Sequence, residues 1–195
     1  MNKKSNKSKT SQIQVVQMSD SDKKEVISWE ERYGHMPEYD SIRQYVLEGD
    51  TYHGLKEVVL VNYEIFRIGE DEKQFSFVAK NDNNEVVAWL LCDVFDISSG
   101  APELFIQYII THPMHQHEGI GKEIAKEILL NPEKYIGVKP VDVFAYVDKS
   151  NIASKALFER FGFEFHDMTP KFFRAIAEEP KLLDEHNSKP QEFGE

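Results

Sequence analysis

The sequence predicts a single mixed α/β domain, and three observations carry that prediction. Its 195 residues suit one domain with short tails. Apolar residues make up 41% of the chain and include 13 Phe, 8 Tyr and 2 Trp, enough for a core, so wholesale disorder is excluded. Short β-rich runs alternate with segments whose apolar residues recur at helical spacing, which is typical of a mixed α/β fold.

The first half of the chain predicts a strand, two helices and a hairpin. IQVVQM (13–18) forms the strand, and Asp and Ser N-cap candidates start a helix that stops at Gly34. A second helix is expected from Tyr39 to Glu48. The runs QFSFVAK and EVVAWLLCDVF, joined by NDNN, predict a hairpin.

The second half predicts alternating strands and helices. Apolar residues at positions 120, 124, 128 and 129 recur at helical spacing, so this stretch is a helix with one apolar face. From Phe172 onward the pattern is ambiguous. The expected elements are the strand ELFIQYIIT, the helix that Asn131-Pro132 closes, the strand VDVFAYV, a helix capped by Asn151 and ended by Gly162, and the strand FEFHDM.

The charge of the chain bears on its partners and its location. The formal net charge is −11, and four Lys in the first ten residues leave the rest with 19 basic and 34 acidic residues. Such a body repels nucleic acid and anionic membranes and favours small cationic or amine partners, although acidity can also serve solubility alone. No apolar run approaches the ~20 residues that span a bilayer, and no apolar segment follows the basic N-terminus. A cytoplasmic protein is expected.

Cysteine and histidine give little support to a metal site. Cys92 is the only cysteine, so an intrachain disulfide and a thiolate cluster are excluded, and its apolar run predicts a buried thiol. The spacing of His112, His115 and His117 matches no compact metal site. No metal is expected.

Two glycines precede the predicted helix in HQHEGIGKEIAKEILL (115–130). Glycine lets a backbone approach a ligand closely, and the free N–H groups of a first helical turn point at anions. Together they make a diphosphate site from main chain. The spacing fits neither G-x-G-x-x-G nor the P-loop, and a glycine pair alone is also compatible with simple loop geometry.

Two motifs, in order, resemble the GNAT-type acyl-CoA N-acyltransferases. QHEGIG (116–121) is similar to that family's Q/R-x-x-G-x-G/A, and NIASKALFERFGF (151–163) to N-x-x-A-x-x-L-Y-E-K-x-G-F. The resemblance covers residues 13–168 and is sharpest over 105–165. It implies a mostly antiparallel central sheet with splayed fourth and fifth strands, flanked by helices. The expected domain is 12–175, with a disordered basic tail (1–11) and a polar tail (176–195).

The resemblance also implies acetyl-CoA as the cosubstrate and assigns residues to it. The pantetheine arm would lie between the splayed strands, with Asn151 hydrogen-bonded to it, a role compatible with helix capping. The implied binding residues are Ile109, Ile110 and Thr111 beside pantetheine, and Gln116, His117, Glu118, Gly119, Ile120, Gly121 and Lys122 around the pyrophosphate.

The implied reaction is direct transfer of an acetyl group to an amine, which must lose a proton before it attacks. Here the sequence departs from the family. The usual tyrosine of the second motif is Phe158, and two positions that carry glutamate in some members hold Phe105 and Tyr146. Tyr146 and Glu103 are the candidate catalytic residues, and each also fits an ordinary strand position.

The sequence therefore predicts an N-acetyltransferase acting on a small amine, a polyamine or aminoglycoside, or a peptide amine. A catalytically silent module that senses acyl-CoA is the alternative, because the usual acid and base are missing. No nucleic acid or membrane partner is expected, and the chain is expected to be a monomer or a homodimer.

Overall fold

A central sheet of seven strands organises the part of the chain that the computed structural model describes, residues 12–47, 54–56, 58–59 and 72–183. Five helices are named α1 to α5. The strands are β1 (Gln14–Gln17), β2 (Lys73–Lys80), β3 (Val86–Phe95), β4 (Glu103–Thr111), β5 (Asp142–Asp148), β6 (Glu164–Asp167) and β7 (Phe172–Ala177), and the helices are α1 (Asp20–Tyr33), α2 (Asp40–Ile42), α3 (Ile120–Leu130), α4 (Pro132–Ile136) and α5 (Ile152–Glu159).

The strand order is β1-β2-β3-β4-β5-β7-β6, and only β4 and β5 run parallel to each other. The mixed, mostly antiparallel sheet expected from the sequence is therefore confirmed, as is the hairpin of β2 and β3. The sequence pattern did not predict the strand β7. It lies between β5 and β6 and pairs with both, so its place depends on contacts that sequence pattern does not show.

The two predicted tails lie wholly or partly outside the described residues. The predicted basic tail, 1–11, falls there entirely, and so do residues 184–195. The strand β7 passes residue 175, the expected domain end, and stops at Ala177. Beyond it, Lys181 N–H donates to the Phe161 carbonyl oxygen at 3.1 Å, which holds this segment against the end of α5.

The first helix starts and stops where the sequence indicates. Ser19 caps α1, and the Asp22 side chain accepts a hydrogen bond from the Ser19 N–H in return, which completes a capping box. Gly34 caps its end. The second helix is less regular than predicted, because α2 is a single turn that continues as a π-helical turn over Arg43–Leu47. Glu48, its predicted end, lies outside the described residues.

Two apolar clusters fill the two faces of the sheet. One lies under α3 and α5, and the other lies under α1 and the turns that follow it. Cys92 is fully buried in the first cluster, as predicted, and burial raises the pKa of its thiol. The first cluster includes Leu104, Ile106, Ile124, Ile128, Ala145, Phe158 and Phe161, and the second includes Val26, Trp29, Tyr39, Trp89, Leu91 and Ile110.

A β-bulge in β4 changes which face its side chains meet. Ile106 lies opposite Cys92 and Tyr108 opposite Leu91, so Gln107 is an extra residue. Before the bulge the even-numbered residues of β4 point into the α3 cluster, whereas Ile110 after it lies in the α1 cluster. The bulge therefore marks the place where β4 changes its packing.

Candidate active site and cofactor cleft

The strands β4 and β5 separate part-way along their length. They pair over Glu103–Ile106 and Asp142–Ala145. Beyond this, in the described sheet, the rest of β4 pairs only with β3 and the rest of β5 only with β7. The strands therefore open into a cleft at the bulge, and the edge of β4 beyond it faces that cleft. The splay expected from the sequence is confirmed.

The side chain of His112 anchors the loop that follows β4. Its Nδ1 accepts a hydrogen bond from the Met114 N–H at 3.1 Å. Its ring packs edge-on against Trp29 and Tyr33, with centroids 5.0 and 4.8 Å away. Burial is the main reason that the pKa of His112 falls to about 4. The imidazole is neutral at pH 7 and holds the loop against α1.

The two glycines of the loop have different structural roles. Gly119 caps α3 with φ of +81°, and nothing lies within 4 Å of the place where a Cβ would stand. Gly121 lies in the first turn of α3, where a Cβ would come within 3.2 Å of the Thr111 Oγ1. Gly119 therefore leaves the main chain open to solvent, whereas Gly121 lets α3 pack closely on β4.

The Gln116 side chain points away from the main chain of the loop. Its Nε2 donates to the Glu38 carbonyl oxygen at 2.7 Å and to the Ser41 Oγ at 3.2 Å. Gln116 thus ties the loop to α2 and to the turn before it. The positive φ of His117, +65°, forms the turn that leads into Gly119.

The remaining predicted binding residues line the loop or the cleft edge. Glu118 contacts His115 at 3.2 Å, Lys122 contacts Glu123 at 3.4 Å, and Ile120 is buried. Ile109, Ile110 and Thr111 are the last three residues of β4 and lie beside the cleft. Their contact with pantetheine stays a prediction.

Asn151 lies across the cleft from this loop, at the start of α5. Its Oδ1 accepts a hydrogen bond from the Ser154 N–H at 3.0 Å, which confirms the capping role. Next to it, the Tyr45 hydroxyl donates to the Ser150 carbonyl oxygen at 3.1 Å. The segment after α1 therefore contacts both sides of the cleft, through Gln116 on one side and Ser150 on the other.

The two candidate catalytic residues lie at opposite ends of the paired segment. Tyr146 is the first residue of β5 beyond the pairing with β4, and it is 46% exposed. Glu103 is the first residue of β4 and lies opposite Asp142 at the closed end. Four residues of strand, roughly 13 Å, separate it from Gln107 at the opening. The structure brings Tyr146 and not Glu103 to the cleft.

Phenylalanines occupy the places where the family resemblance leads one to expect polar groups. Phe158 is buried against Phe163, with ring centroids 4.9 Å apart. Phe105 stacks on Phe144 at 4.9 Å and lies 5.1 Å from the Tyr146 ring. Aromatic rings therefore cover the sheet beside the opening.

The sequence reasoning missed Asp93, a buried carboxylate on β3. It is 4% exposed and accepts hydrogen bonds from the Gln74 Nε2, at 3.0 Å, and from the Gln107 Nε2. No basic side chain pairs with it among the described residues, and burial raises its pKa. An acidic residue inside the apolar run VVAWLLCDVF was the available signal.

Metal and membrane features are absent from the described part of the chain. No three His, Cys, Asp or Glu side chains there come together to hold a metal ion. No helix of these residues combines the length and apolar character needed to cross a membrane.

Sequence comparison identifies the protein family of the chain that forms this cleft. The model of the acetyltransferase (GNAT) family matches residues 38–163. The chain belongs to the GNAT family. No curated protein sequence matches it.

Solved GNAT structures share the fold at low sequence identity. Spermidine N-acetyltransferase from Vibrio cholerae, in complex with CoA and spermine, is 15% identical with a TM-score of 0.60, covering 86% of this chain and 96% of its own. The ribosomal-protein-S18-alanine N-acetyltransferase from Escherichia coli is 17% identical with a TM-score of 0.53, covering 90% and 98%. The PaiA N-acetyltransferase from Thermoplasma acidophilum, in complex with coenzyme A, is 16% identical with a TM-score of 0.53, covering 86% and 99%.

Proposed function

We propose that this GNAT protein transfers an acetyl group directly from acetyl-CoA to an amine. One observation carries the proposal: the unpaired edge of β4 leads straight into a loop whose main chain is open at Gly119. An exposed strand edge followed by an open helix N-terminus suits a ligand with an amide-bearing arm joined to a diphosphate.

The cofactor would bind mainly through backbone groups. The amides of the pantetheine arm would add to Ile109–Thr111 as an extra strand does. The pyrophosphate would lie at the first turn of α3, where the N–H groups from Gly119 to Lys122 are the donors. This mode needs no cluster of basic side chains, which agrees with the charge of −11.

The chemistry beyond binding is a nucleophilic attack on a thioester. The neutral amine nitrogen adds to the carbonyl carbon, the C–S bond breaks, the nitrogen loses a proton and the CoA thiolate takes one up, so that one proton moves in net from nitrogen to sulfur. Tyr146, at the opening, has an O–H that could give its proton to the thiolate and regain one from the nitrogen. Glu103, at the closed end, would act only on a different part of the acceptor.

Asp93 would orient the Gln107 side chain, which would contact the amine. Its carboxylate holds the Nε2 end of Gln107, so the Oε1 end remains as a hydrogen-bond acceptor. Gln107 occupies the bulge where the strands separate. We propose that Gln107 Oε1 accepts an N–H of the attacking amine, with Asp93 as the residue that positions it.

Thermal shift tests the binding half of this proposal. Saturation at 100 times Kd stabilises a protein by about 2.7 kcal/mol, which for this size raises the melting temperature by roughly 5–10 °C. Acetyl-CoA and CoA should both do so, and pantetheine or acetate should not. An equal shift with NAD or ATP, or no shift with any CoA ester, would contradict the assignment.

A release assay separates the enzyme from the alternative of a silent acyl-CoA sensor. The buried Phe158, in place of the family's tyrosine, is the observation that favours the sensor. An enzyme releases the free CoA thiol with a member of an amine panel and yields a product 42 mass units heavier, about the mass of an added acetyl group minus a proton. Tight binding of acetyl-CoA without thiol release from any amine supports the sensor.

A further inference from the structure

An arginine lies beside the cleft with no ion-pair partner among the described residues. Arg174 lies on β7, directly opposite Tyr146 of β5 and His166 of β6. Its neighbour Ala175 points into the cluster under α3 and α5, so Arg174 points to the opposite face of the sheet. This is the face on which Phe144 and Tyr146 also lie.

The guanidinium of Arg174 lacks the groups that normally satisfy it. It lies over the Phe144 ring, with Cζ 4.9 Å from the ring centroid. Its Nε is buried without a hydrogen-bond partner, and no described carboxylate forms an ion pair with it. A buried donor with no acceptor costs free energy, and that cost is recovered if a ligand supplies the acceptor.

The carboxylates nearest in the sheet are engaged elsewhere. Glu164 of β6 lies opposite Ile176 rather than opposite Arg174, and its Oε2 is 3.9 Å from the His166 Nε2. Asp148, two residues after Tyr146 on β5, accepts hydrogen bonds from the Ser150 N–H and hydroxyl and lies 3.7 Å from the Lys171 Nζ. The guanidinium N–H groups of Arg174 therefore remain available to a ligand on this face.

The surroundings of Arg174 suit a carboxylate. The rings of Phe105, Phe144 and Tyr146 form a continuous apolar floor, with adjacent centroids 4.9–6.0 Å apart. Apolar surroundings strengthen a charged hydrogen bond, and a guanidinium binds a carboxylate through two parallel N–H groups.

The position of Arg174 relates this anion site to the acetyl-transfer site. Tyr146 stands at the opening of the cleft, and Arg174 is its partner on the next strand, about 4.8 Å away at the backbone. An acceptor with its amine in the opening and a second group directed along this face would bring that group toward the guanidinium. A polyamine would instead bring a second cation toward it.

We infer that Arg174 forms a carboxylate subsite, so that the acceptor is an amino acid or a short peptide with a free C-terminus rather than a polyamine. The inference rests on the proposed acetyltransferase function. It also runs against the overall charge of the chain, which by itself favours cationic acceptors.

Matched acceptors test it. Amino acids and dipeptides are compared with their C-terminal amides and with spermidine, using acetyl-CoA and thiol release. The free acids should be preferred over the amides by about 10-fold or more in kcat/KM, as expected when a charged hydrogen bond is lost. Arg174→Gln should raise KM for the acids to that of the amides and leave the amides unchanged, and Arg174→Lys should restore part of the preference.

The control variant is Lys139→Gln, which removes one positive charge from an exposed pair with Glu179 and should alter no acceptor. Equal use of acids and amides, or a preference that survives Arg174→Gln, overturns the subsite and leaves the acetyltransferase proposal intact. Titration of the CoA complex with alanyl-alanine and its amide gives a second readout that needs no turnover. If wild-type protein binds CoA but binds both peptides equally or neither, the subsite is wrong. If CoA itself does not bind, the proposed function fails first.

Discussion

The two ends of the β4–β5 pair show how one pair of strands supports both stability and binding. At the closed end, Leu104 and Ile106 lie opposite Val143 and Ala145, and all four side chains are buried in the cluster under α3 and α5. At the open end, β4 beyond Gln107 has no strand on its β5 side among the described residues and leads into the loop to Gly119.

The cleft exists because the pairing of β4 with β5 stops, and this pairing stops where the packing of β4 changes. The bulge at Gln107 turns the following residues of β4 toward the α1 cluster, while β5 continues along β7. Truncation in the closed-end core should therefore alter stability without altering ligand affinity, and substitution of Gly119, at the open end, should alter ligand affinity.

Leu104→Ala, at the closed end, should produce the largest effect. Leu104 is fully buried, so truncation should cost about 4 kcal/mol and lower the melting temperature by roughly 8–16 °C. The affinity of the folded fraction for CoA should not change. Denaturant unfolding and CoA titration measure the two quantities. Val141→Ala, at a half-exposed site just before β5, should cost under about 0.5 kcal/mol. A large loss of CoA affinity in Leu104→Ala would contradict the expectation that the closed end affects stability and not binding.

His112, at the open end, should make stability depend on pH. Its folded pKa of about 4 lies below the ordinary value of 6.5, so between these values the unfolded chain binds the extra proton. The stabilisation is complete above pH 6.5 and is lost as pH falls toward 4, by about 3 kcal/mol in all.

Unfolding free energies measured from pH 6.5 to 5 in wild type and His112→Gln test this expectation. The wild type should lose about 2 kcal/mol more over that range. His166→Gln, at an exposed site on β6, is the control and should behave as the wild type does. Equal slopes in wild type and His112→Gln would show that another group titrates.

Gly119→Val should weaken CoA binding by at least about 100-fold, or roughly 2.7 kcal/mol, because the new side chain would occupy the space open to the pyrophosphate. Gly119→Asn separates two causes, since Asn tolerates the left-handed backbone yet still adds a Cβ. If steric block is the cause, both variants lose affinity. If the backbone conformation alone matters, Asn retains it. If a folded Gly119→Val protein bound CoA with wild-type affinity, the pyrophosphate would not bind at this loop.

Asp93→Asn should remove a pH dependence of stability and lower activity together. Burial raises the pKa of Asp93, so its ionised form is disfavoured in the folded state and the stability tied to this group falls as pH rises above about 4. Asparagine carries no charge, so the unfolding free energy of the variant should not show this fall, which denaturant unfolding from pH 4 to 7.5 measures. Turnover should fall because Gln107 is no longer held in one orientation. Asp82→Asn, in the exposed hairpin turn, is the matched control. Unchanged turnover would deny Asp93 a positioning role.

Tyr146→Phe should have the smallest effect. The CoA thiolate is a fair leaving group, so we expect the variant to keep most of the parent kcat and its acetyl-CoA affinity. A tyrosine that donates the proton in the rate-limiting step would instead cost about 100-fold or more. Single-turnover kinetics across pH 6 to 9 distinguish these results, and a loss of several hundredfold would make Tyr146 the general acid.

Elements whose signals are local could be predicted from the amino-acid sequence. Ser19 and Gly34 bound α1, the apolar periodicity defines α3, and NDNN turns the hairpin, because each depends on neighbouring residues alone. The two glycines and Asn151 likewise follow from short motifs. For this reason the loop and the cap were found without the structure, although the separate tasks of Gly119 and Gly121 were not.

Features that depend on residues far apart in the chain could not be predicted without the three-dimensional fold. The strand β7 exists through its pairing with β5 and β6, and Arg174 is brought beside Tyr146 by that pairing alone. Asp93 and Gln107 are 14 residues apart and meet because the bulge directs one toward the other. Glu103 and Tyr146 looked equally suitable as catalytic residues along the chain, and the point at which β4 and β5 separate placed only Tyr146 at the opening. Local periodicity cannot show such placements, because pairing register and strand separation are set by packing between elements that lie far apart in the chain.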